Sequence, residues 1–81
     1  MDSTQGPLYW RCRRGMLELD LLLQGFLERG YPDLDEAGRR TFERLLESPD
    51  PQLHALLLGH EPPADKEVAR VVDAIRRAAV P

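Results

Sequence analysis

The stretch that decides the fold runs from Met16 to Arg29 and reads MLELDLLLQGFLER. On a helical wheel of about 100° per residue, six of its apolar side chains fall on one arc. They are Met16, Leu19, Leu22, Leu23, Phe26 and Leu27. Such an arc is typical of a helix that packs on a hydrophobic core, and Gly30 is a natural end for it. The stretch therefore predicts an amphipathic helix over residues 16–29.

Two other leucines of this stretch, Leu17 and Leu21, fall outside the apolar arc and beside Glu18. They could form an exposed patch, which is a common mark of a protein-binding site. They could equally be covered by the preceding segment, through Leu8 or Trp10, because a small bundle can bury two faces of one helix. The sequence leaves both interpretations open.

The remaining helices follow from the same periodicity and from the prolines and glycines that interrupt it. A short helix runs from about Leu8 to Arg13, and a longer one is capped by Asp33 or Asp35 and ends near Glu47. A second short helix is capped by Asp50 and closes at Gly59. The last helix is capped by Asp65, and its apolar set is Val68, Val71, Val72, Ile75 and Ala79. Short connections make successive helices neighbours. We therefore expect an all-α fold, a compact five-helix bundle with short first and fourth helices. It forms a single domain over residues 8–79, after a flexible N-terminus of residues 1–7.

Size and composition exclude several classes of function. A chain of 81 residues has little room for a cleft lined by catalytic groups, and a net charge of −3 is unlike the basic face of a nucleic-acid binder. His54, His60 and the single Cys12 do not form a zinc set, and no apolar run is long enough to span a membrane. Cys12 lies between Arg11 and Arg13, which could lower the pKa of its thiol. We expect a cytoplasmic protein that is not an enzyme and binds no metal, nucleic acid or membrane.

The segment around Gly15 is the best candidate for a functional site. Arg11, Arg13 and Arg14 form a basic cluster, which is either a solvated face or an anchor for carboxylates or phosphates of a partner. If the chain turns tightly at Gly15, the side chains of Arg14 and Glu18 converge from adjacent turns. This pair could be an ordinary surface ion pair or part of a partner site.

Residues 10–20, WRCRRGMLELD, closely resemble the SdhE family of bacterial FAD assembly factors. The hallmark of that family is an R-G-x-x-E motif, and Arg14, Gly15 and Glu18 fall on it. The similarity continues at residues 41–47, 50–53 and 63–65, and covers about residues 8 to 75. The sequence departs from the family at Leu56, where members typically carry a tryptophan.

The resemblance implies a five-helix bundle that binds the flavoprotein subunit of succinate dehydrogenase, and in some bacteria fumarate reductase. Members promote the covalent attachment of FAD to a histidine of that subunit, so FAD would be attached to the partner and no cofactor would stay bound here. By resemblance, Arg14, Gly15 and Glu18 would contact the immature flavoprotein. The neighbouring cluster and patch add Arg11, Leu17 and Leu21 to the expected partner-binding residues. Some members have been labelled antitoxins, so the alternative is an antitoxin-like module that neutralises a toxin.

Overall fold

A computed structural model describes residues 7–59 and 61–79 of the chain. Its elements are α1 (Pro7–Arg11), α2 (Leu17–Arg29), a 3-10 turn (Tyr31–Asp33), α3 (Glu36–Leu45), α4 (Asp50–Leu57) and α5 (Lys66–Ala78). These ranges contain five α-helices, of which α1 and α4 are short, and no strand, so the predicted fold class is confirmed. Of the N-terminal segment predicted to be flexible, residues 1–6 lie outside the described residues, and Pro7 is already the first residue of α1.

One hydrophobic core joins all five helices. The helix α5 packs against both α2 and α3, and the Phe26 and Phe42 rings meet between α2 and α3 with their centroids 5.1 Å apart. Both rings are almost completely buried. Burial of a side chain of this size stabilises a fold by about 1.5–3 kcal/mol. Cys12, just after α1, is fully buried in the same cluster and holds the end of α1 against the bundle.

The apolar arc predicted for α2 is largely correct. Four of its six side chains are buried, namely Leu19, Leu23, Phe26 and Leu27. Leu22 is only half-buried, and Met16 is exposed because it precedes the helix at the N-cap position. The corresponding error in α5 is Ala79, which is exposed because it follows the last helical residue, Ala78. Apart from the half-buried Leu22 in α2 and Val68 in α5, the prediction failed at a helix terminus.

Two of the predicted helix caps are confirmed. The side chain of Asp35 accepts a hydrogen bond from the backbone N–H of Gly38 at 2.8 Å, and Asp65 does the same for Val68 at 2.8 Å. These bonds satisfy N–H groups that have no partner within the first turn of a helix. Asp35, rather than Asp33, is therefore the cap of α3.

The cap predicted at Asp50 is wrong. Pro49 occupies the N-cap position of α4, and Asp50 is the first helical residue, with no capping bond from its side chain. Its carboxylate instead accepts a hydrogen bond from Nε of Arg14 at 2.7 Å. A charged donor competes well with a backbone N–H for a carboxylate, because charge-assisted bonds are the stronger ones.

The C-terminal end of α4 is closed by an arginine from α5. The guanidinium of Arg76 donates to the backbone oxygens of Leu56 at 2.7 Å, Leu57 at 3.2 Å and Gly59 at 3.3 Å. The carbonyls at a helix end have no partner inside the helix, so this contact satisfies them and ties α4 to α5. Within residues 7–59 and 61–79, none of the helices is long and apolar enough to cross a membrane.

Candidate partner-binding site

The connection between α1 and α2 bends at Gly15, which lies between the two helices. Gly15 has a φ of +84°, a backbone conformation that side chains with a Cβ rarely adopt. The carboxylate of Asp20, in the first turns of α2, accepts hydrogen bonds from the backbone N–H of Arg14 at 2.6 Å and of Gly15 at 3.3 Å. The glycine and these two bonds together fix the path of the chain through the turn.

Arg14 does not pair with Glu18, so this part of the prediction is wrong. Its guanidinium lies at the junction of α3 and α4, where it donates to Asp50 Oδ1, Leu46 O and Ser48 O, each at 2.7 Å. Only 16% of its side chain is exposed. At this junction the planar guanidinium meets a carboxylate and also carbonyls that the helix end leaves without partners. A single surface carboxylate such as Glu18 would provide fewer acceptors.

Large apolar side chains are exposed around the same turn. Leu17 is 74% exposed and Leu21 is 63% exposed, so α1 does not cover them. Trp10 at 55% and Met16 at 36% are also exposed. These four are the exposed large hydrophobic side chains of the described chain, and all belong to the end of α1, the turn and the first turns of α2. The structure thus decides between the two interpretations of the leucines in favour of an exposed patch.

The charged residues near the turn have separate surroundings. Glu18 is exposed and forms no salt bridge within residues 7–59 and 61–79. Arg13 is also exposed, with its guanidinium 5.7 Å from the centre of the Trp10 ring. Arg11 donates to the backbone oxygen of Glu43 at 2.8 Å and so ties α1 to α3. The predicted basic cluster is therefore not one surface: Arg14 is mostly buried, Arg11 contacts α3, and Arg13 is exposed.

The thiol of Cys12 is part of the core and is not activated. Desolvation by burial raises its pKa to about 11, and this outweighs the neighbouring charges of Arg11 and Arg14, which lower it. The predicted lowering is wrong because the side chain is fully buried, and a thiolate loses more free energy on leaving water than two nearby arginines restore.

The surface of the described bundle includes two grooves. One, of about 550 Å³, runs beside α2 and is lined by Glu18 and Leu21 together with residues from the ends of α4 and α5. The other, of about 510 Å³, lies between α3, α4 and the segment before α5, and it includes none of the predicted partner-binding residues. In the part of the chain that the structure describes, no group of three His, Cys, Asp or Glu side chains could hold a metal ion.

Sequence reasoning missed the two carboxylates that fix the turn. A signal existed for Asp20, because an acidic side chain one helical turn after a glycine turn can reach the free amides of that turn. For Asp50 no local signal existed, since it lies 36 positions from Arg14. The sequence suggests Trp10 as a possible cover for Leu17 and Leu21, whereas its side chain belongs to the exposed set.

Comparison with known proteins identifies the family. The Sdh5 family model, described as flavinator of succinate dehydrogenase, matches residues 7–79. A protein named FAD assembly factor SdhE from Shewanella oneidensis is 50% identical over 72 residues, covering 89% of this chain and 88% of the relative. The proteins of the same name from Legionella pneumophila strain Paris and Pectobacterium atrosepticum are 51% and 42% identical, over 94% and 91% of this chain and 96% and 84% of their own lengths. The resemblance seen around the R-G-x-x-E motif is thus confirmed over nearly the whole sequence, and the chain belongs to the Sdh5 family of succinate dehydrogenase flavinators.

Proposed function

We propose that this protein binds the flavoprotein subunit of succinate dehydrogenase and promotes the covalent attachment of FAD to it. The observation that carries the proposal is the concentration of exposed large apolar side chains around one turn, in a chain of the flavinator family. A small domain that leaves such a group uncovered pays for it in solubility unless a partner covers it. The family resemblance adds fumarate reductase as a second proposed client. The cytoplasmic location stays a prediction.

The residues of the site have two kinds of role in this proposal. Leu17, Leu21 and Glu18 contact the partner directly, since their side chains are exposed beside the turn. Gly15 lets the partner approach the backbone, because a Cβ built there meets no atom within 4 Å and that space is open.

The two arginines act indirectly. Arg14 acts through the turn that it holds against the α3–α4 junction. Arg11 acts in the same way from α1 through its bond to α3.

The proposed mechanism requires no catalytic group on this chain. Attachment of FAD needs the partner's histidine to be held against the 8α carbon of the isoalloxazine ring, and correct placement of two reacting groups is a large part of any rate enhancement. A rigid helical bundle that binds preferentially to the arrangement competent for attachment raises the population of that arrangement. FAD is then bound to the partner, and this protein is not an enzyme and keeps no cofactor. The named relatives give no support to the antitoxin-like alternative.

A binding and flavinylation assay tests the proposal. The purified flavoprotein subunit, incubated with FAD, is expected to bind this protein and to gain covalent flavin, measured as fluorescence that stays with the denatured subunit. Leu17→Asp should weaken the Kd by about tenfold or more, because burial of one leucine is worth about 1.5–3 kcal/mol. Gln52→Asp places the same side chain on an exposed position of α4 and should leave the Kd unchanged. Failure of the wild-type chain to bind the subunit, with recovery of only a toxin or DNA from lysate, would overturn the proposal.

A further inference from the structure

Most glycines of the described chain have a reason within the fold. Gly15 has a positive φ, and Gly30, Gly38 and Gly59 are closely surrounded. A Cβ at these last three would lie 2.5 Å from the Phe26 ring, 3.0 Å from the capping carboxylate of Asp35 and 2.9 Å from the backbone oxygen of Ala55. The Phe26 ring and the Ala55 backbone cannot move without disturbing the core or a helix, whereas at Gly38 a small shift of Asp35 would suffice. The fold itself therefore disfavours a side chain at Gly15, Gly30 and Gly59, and leaves little room for one at Gly38.

Gly25 is the exception. It lies in the middle of α2, where glycine is among the poorest helix formers. A Cβ at this position would approach only the side chain of Arg29, whose Nη2 lies 2.6 Å away at the free end of a flexible chain and can swing aside. Nothing within the described bundle requires that residue 25 lack a side chain. A reason outside the bundle, such as the close approach of another molecule, is therefore the better explanation.

The groove of about 550 Å³ lies directly beside Gly25. Its walls include Leu21, which is exposed, and Leu22 and Leu58, which are half-buried, so it offers aliphatic contacts beside polar side chains such as Glu18, Gln24 and Glu28. Glu18 and Leu21 belong both to this groove and to the contact surface proposed at the Gly15 turn. The groove thus continues that surface along α2. The second groove shares none of its residues and carries no such connection.

The charges around the groove indicate what kind of segment would fill it. Glu18 and Glu28 both line it and are exposed, and neither forms a salt bridge within the described ranges. Arg29 is the single basic residue among the lining side chains that the structure describes. A partner that places a Lys or Arg here gains an attractive contact and steers its own approach, whereas an acidic partner is repelled.

We propose that the groove beside Gly25 is a second contact site for the flavoprotein partner. It takes a segment of that partner laid across α2, with an aliphatic or aromatic side chain against Leu21, Leu22 and Leu58 and a basic residue within reach of Glu18 or Glu28. Because Gly25 has no side chain, the segment can approach the axis of α2 more closely than it could with any other residue at this position. This inference rests on the proposed function and extends the interface from the Gly15 turn to the far end of α2.

The variant Gly25→Gln separates binding from folding, because it should change the two in opposite directions. Glutamine is a much better helix former than glycine, so the Tm should rise by about 4 °C. Its side chain fills the space beside the groove, so the Kd for the purified flavoprotein subunit should weaken by about tenfold. Ala37→Gln, on an exposed position of α3, is the matched control and should leave the Kd unchanged. A Gly25→Gln protein that binds the subunit as tightly as the wild type overturns the inference.

A charge reversal tests the identity of the occupant. Glu28→Lys should weaken the Kd by about tenfold at low salt, because it places a positive charge against the basic residue of the partner segment. Glu61→Lys makes the same change in net charge at the other groove and should have no effect. Equal weakening by both variants would show long-range steering instead of a contact, and would overturn the inference. If the wild-type chain does not bind the subunit, the proposed function itself fails, whereas a binding wild type with unaffected Gly25→Gln and Glu28→Lys variants removes only the groove.

Discussion

At the scale of single residues, Gly15 shows how a motif glycine combines two requirements. Its positive φ is needed for the turn, and the open space at its Cβ position is needed, in the proposed function, for the partner. The first requirement disfavours any residue with a Cβ, by about 1–2 kcal/mol. The second depends on size, since a small side chain leaves more of that space open than a large one. The two requirements can therefore be separated by the choice of substitution.

Gly15→Arg should fold but fail to dock. The strain of the left-handed backbone should lower the free energy of unfolding by about 1–2 kcal/mol, and the long side chain should occupy the space where the partner approaches. Gly15→Asn is the matched control, because asparagine tolerates this backbone region and has a smaller side chain. The measurements are the Tm of each variant and the covalent FAD content of the flavoprotein in a strain that lacks the wild-type protein. Full flavinylation with Gly15→Arg would show that the turn is not part of the interface.

At the scale of the elements, arginines close two helices from outside. Arg14 donates to backbone oxygens at the end of α3, and Arg76 does so at the end of α4. Arg76 comes from α5 and Arg14 from the connection between α1 and α2, so each contact satisfies free carbonyls and also fixes how separate segments of the chain pack. The short helix α4 depends on this most, because eight residues give it few hydrogen bonds of its own.

Removing the external cap of α4 should loosen its end. Arg76→Ala is expected to cost about 1–2 kcal/mol of unfolding free energy, since three backbone oxygens lose a charged donor that is partly exposed to water. Arg77→Ala is the control, because among the described residues the neighbouring Arg77 pairs with the exposed Asp73 of its own helix, and this variant should cost about 0.5 kcal/mol or less. Hydrogen exchange should speed up at the last amides of α4 in the first variant alone. Equal exchange in both would contradict the capping role.

The elements also show what sequence can and cannot predict. Helix positions and core faces follow from local periodicity, so the arc of α2 was predicted correctly at Leu19, Leu23, Phe26 and Leu27. The direction of a long polar side chain depends instead on partners far away in the sequence. Arg14 was therefore placed on the correct turn but with the wrong partner, since the contact with Asp50 arises only when α3 and α4 are in place.

At the scale of the whole molecule, Arg14 couples the proposed docking turn to the opposite half of the chain. Its bonds reach Leu46, Ser48 and Asp50, at the junction of α3 and α4. Of the residues between α1 and α2, Cys12 alone has a side chain in the hydrophobic core. The conformation of the turn therefore depends on the rest of the bundle being folded. A change at the α3–α4 junction should alter the conformation of the docking surface.

A double-mutant cycle measures this coupling. Arg14→Ala should cost about 2–3 kcal/mol, because it leaves a carboxylate and two carbonyls without their donor. Asp50→Ala should cost about 1 kcal/mol, and the double variant should cost less than the sum because the two share one contact. Asp50→Ala should also weaken the Kd for the flavoprotein and speed amide exchange at Gly15, although Asp50 is not placed in the interface. Arg40→Ala, which breaks an exposed ion pair with Glu36, should change neither. Strict additivity and an unchanged Kd would show that the turn holds its shape alone.

The sealed position of Cys12 has a practical consequence for such experiments. With a pKa of about 11, only about one thiol in ten thousand is ionised at neutral pH, and that thiol lies out of reach of dissolved reagents. A cysteine introduced on the surface, for example at Gln52, should then react with a maleimide dye while the native one stays intact. Fluorescent labelling can therefore begin from the natural sequence, without replacing a side chain on which the core depends.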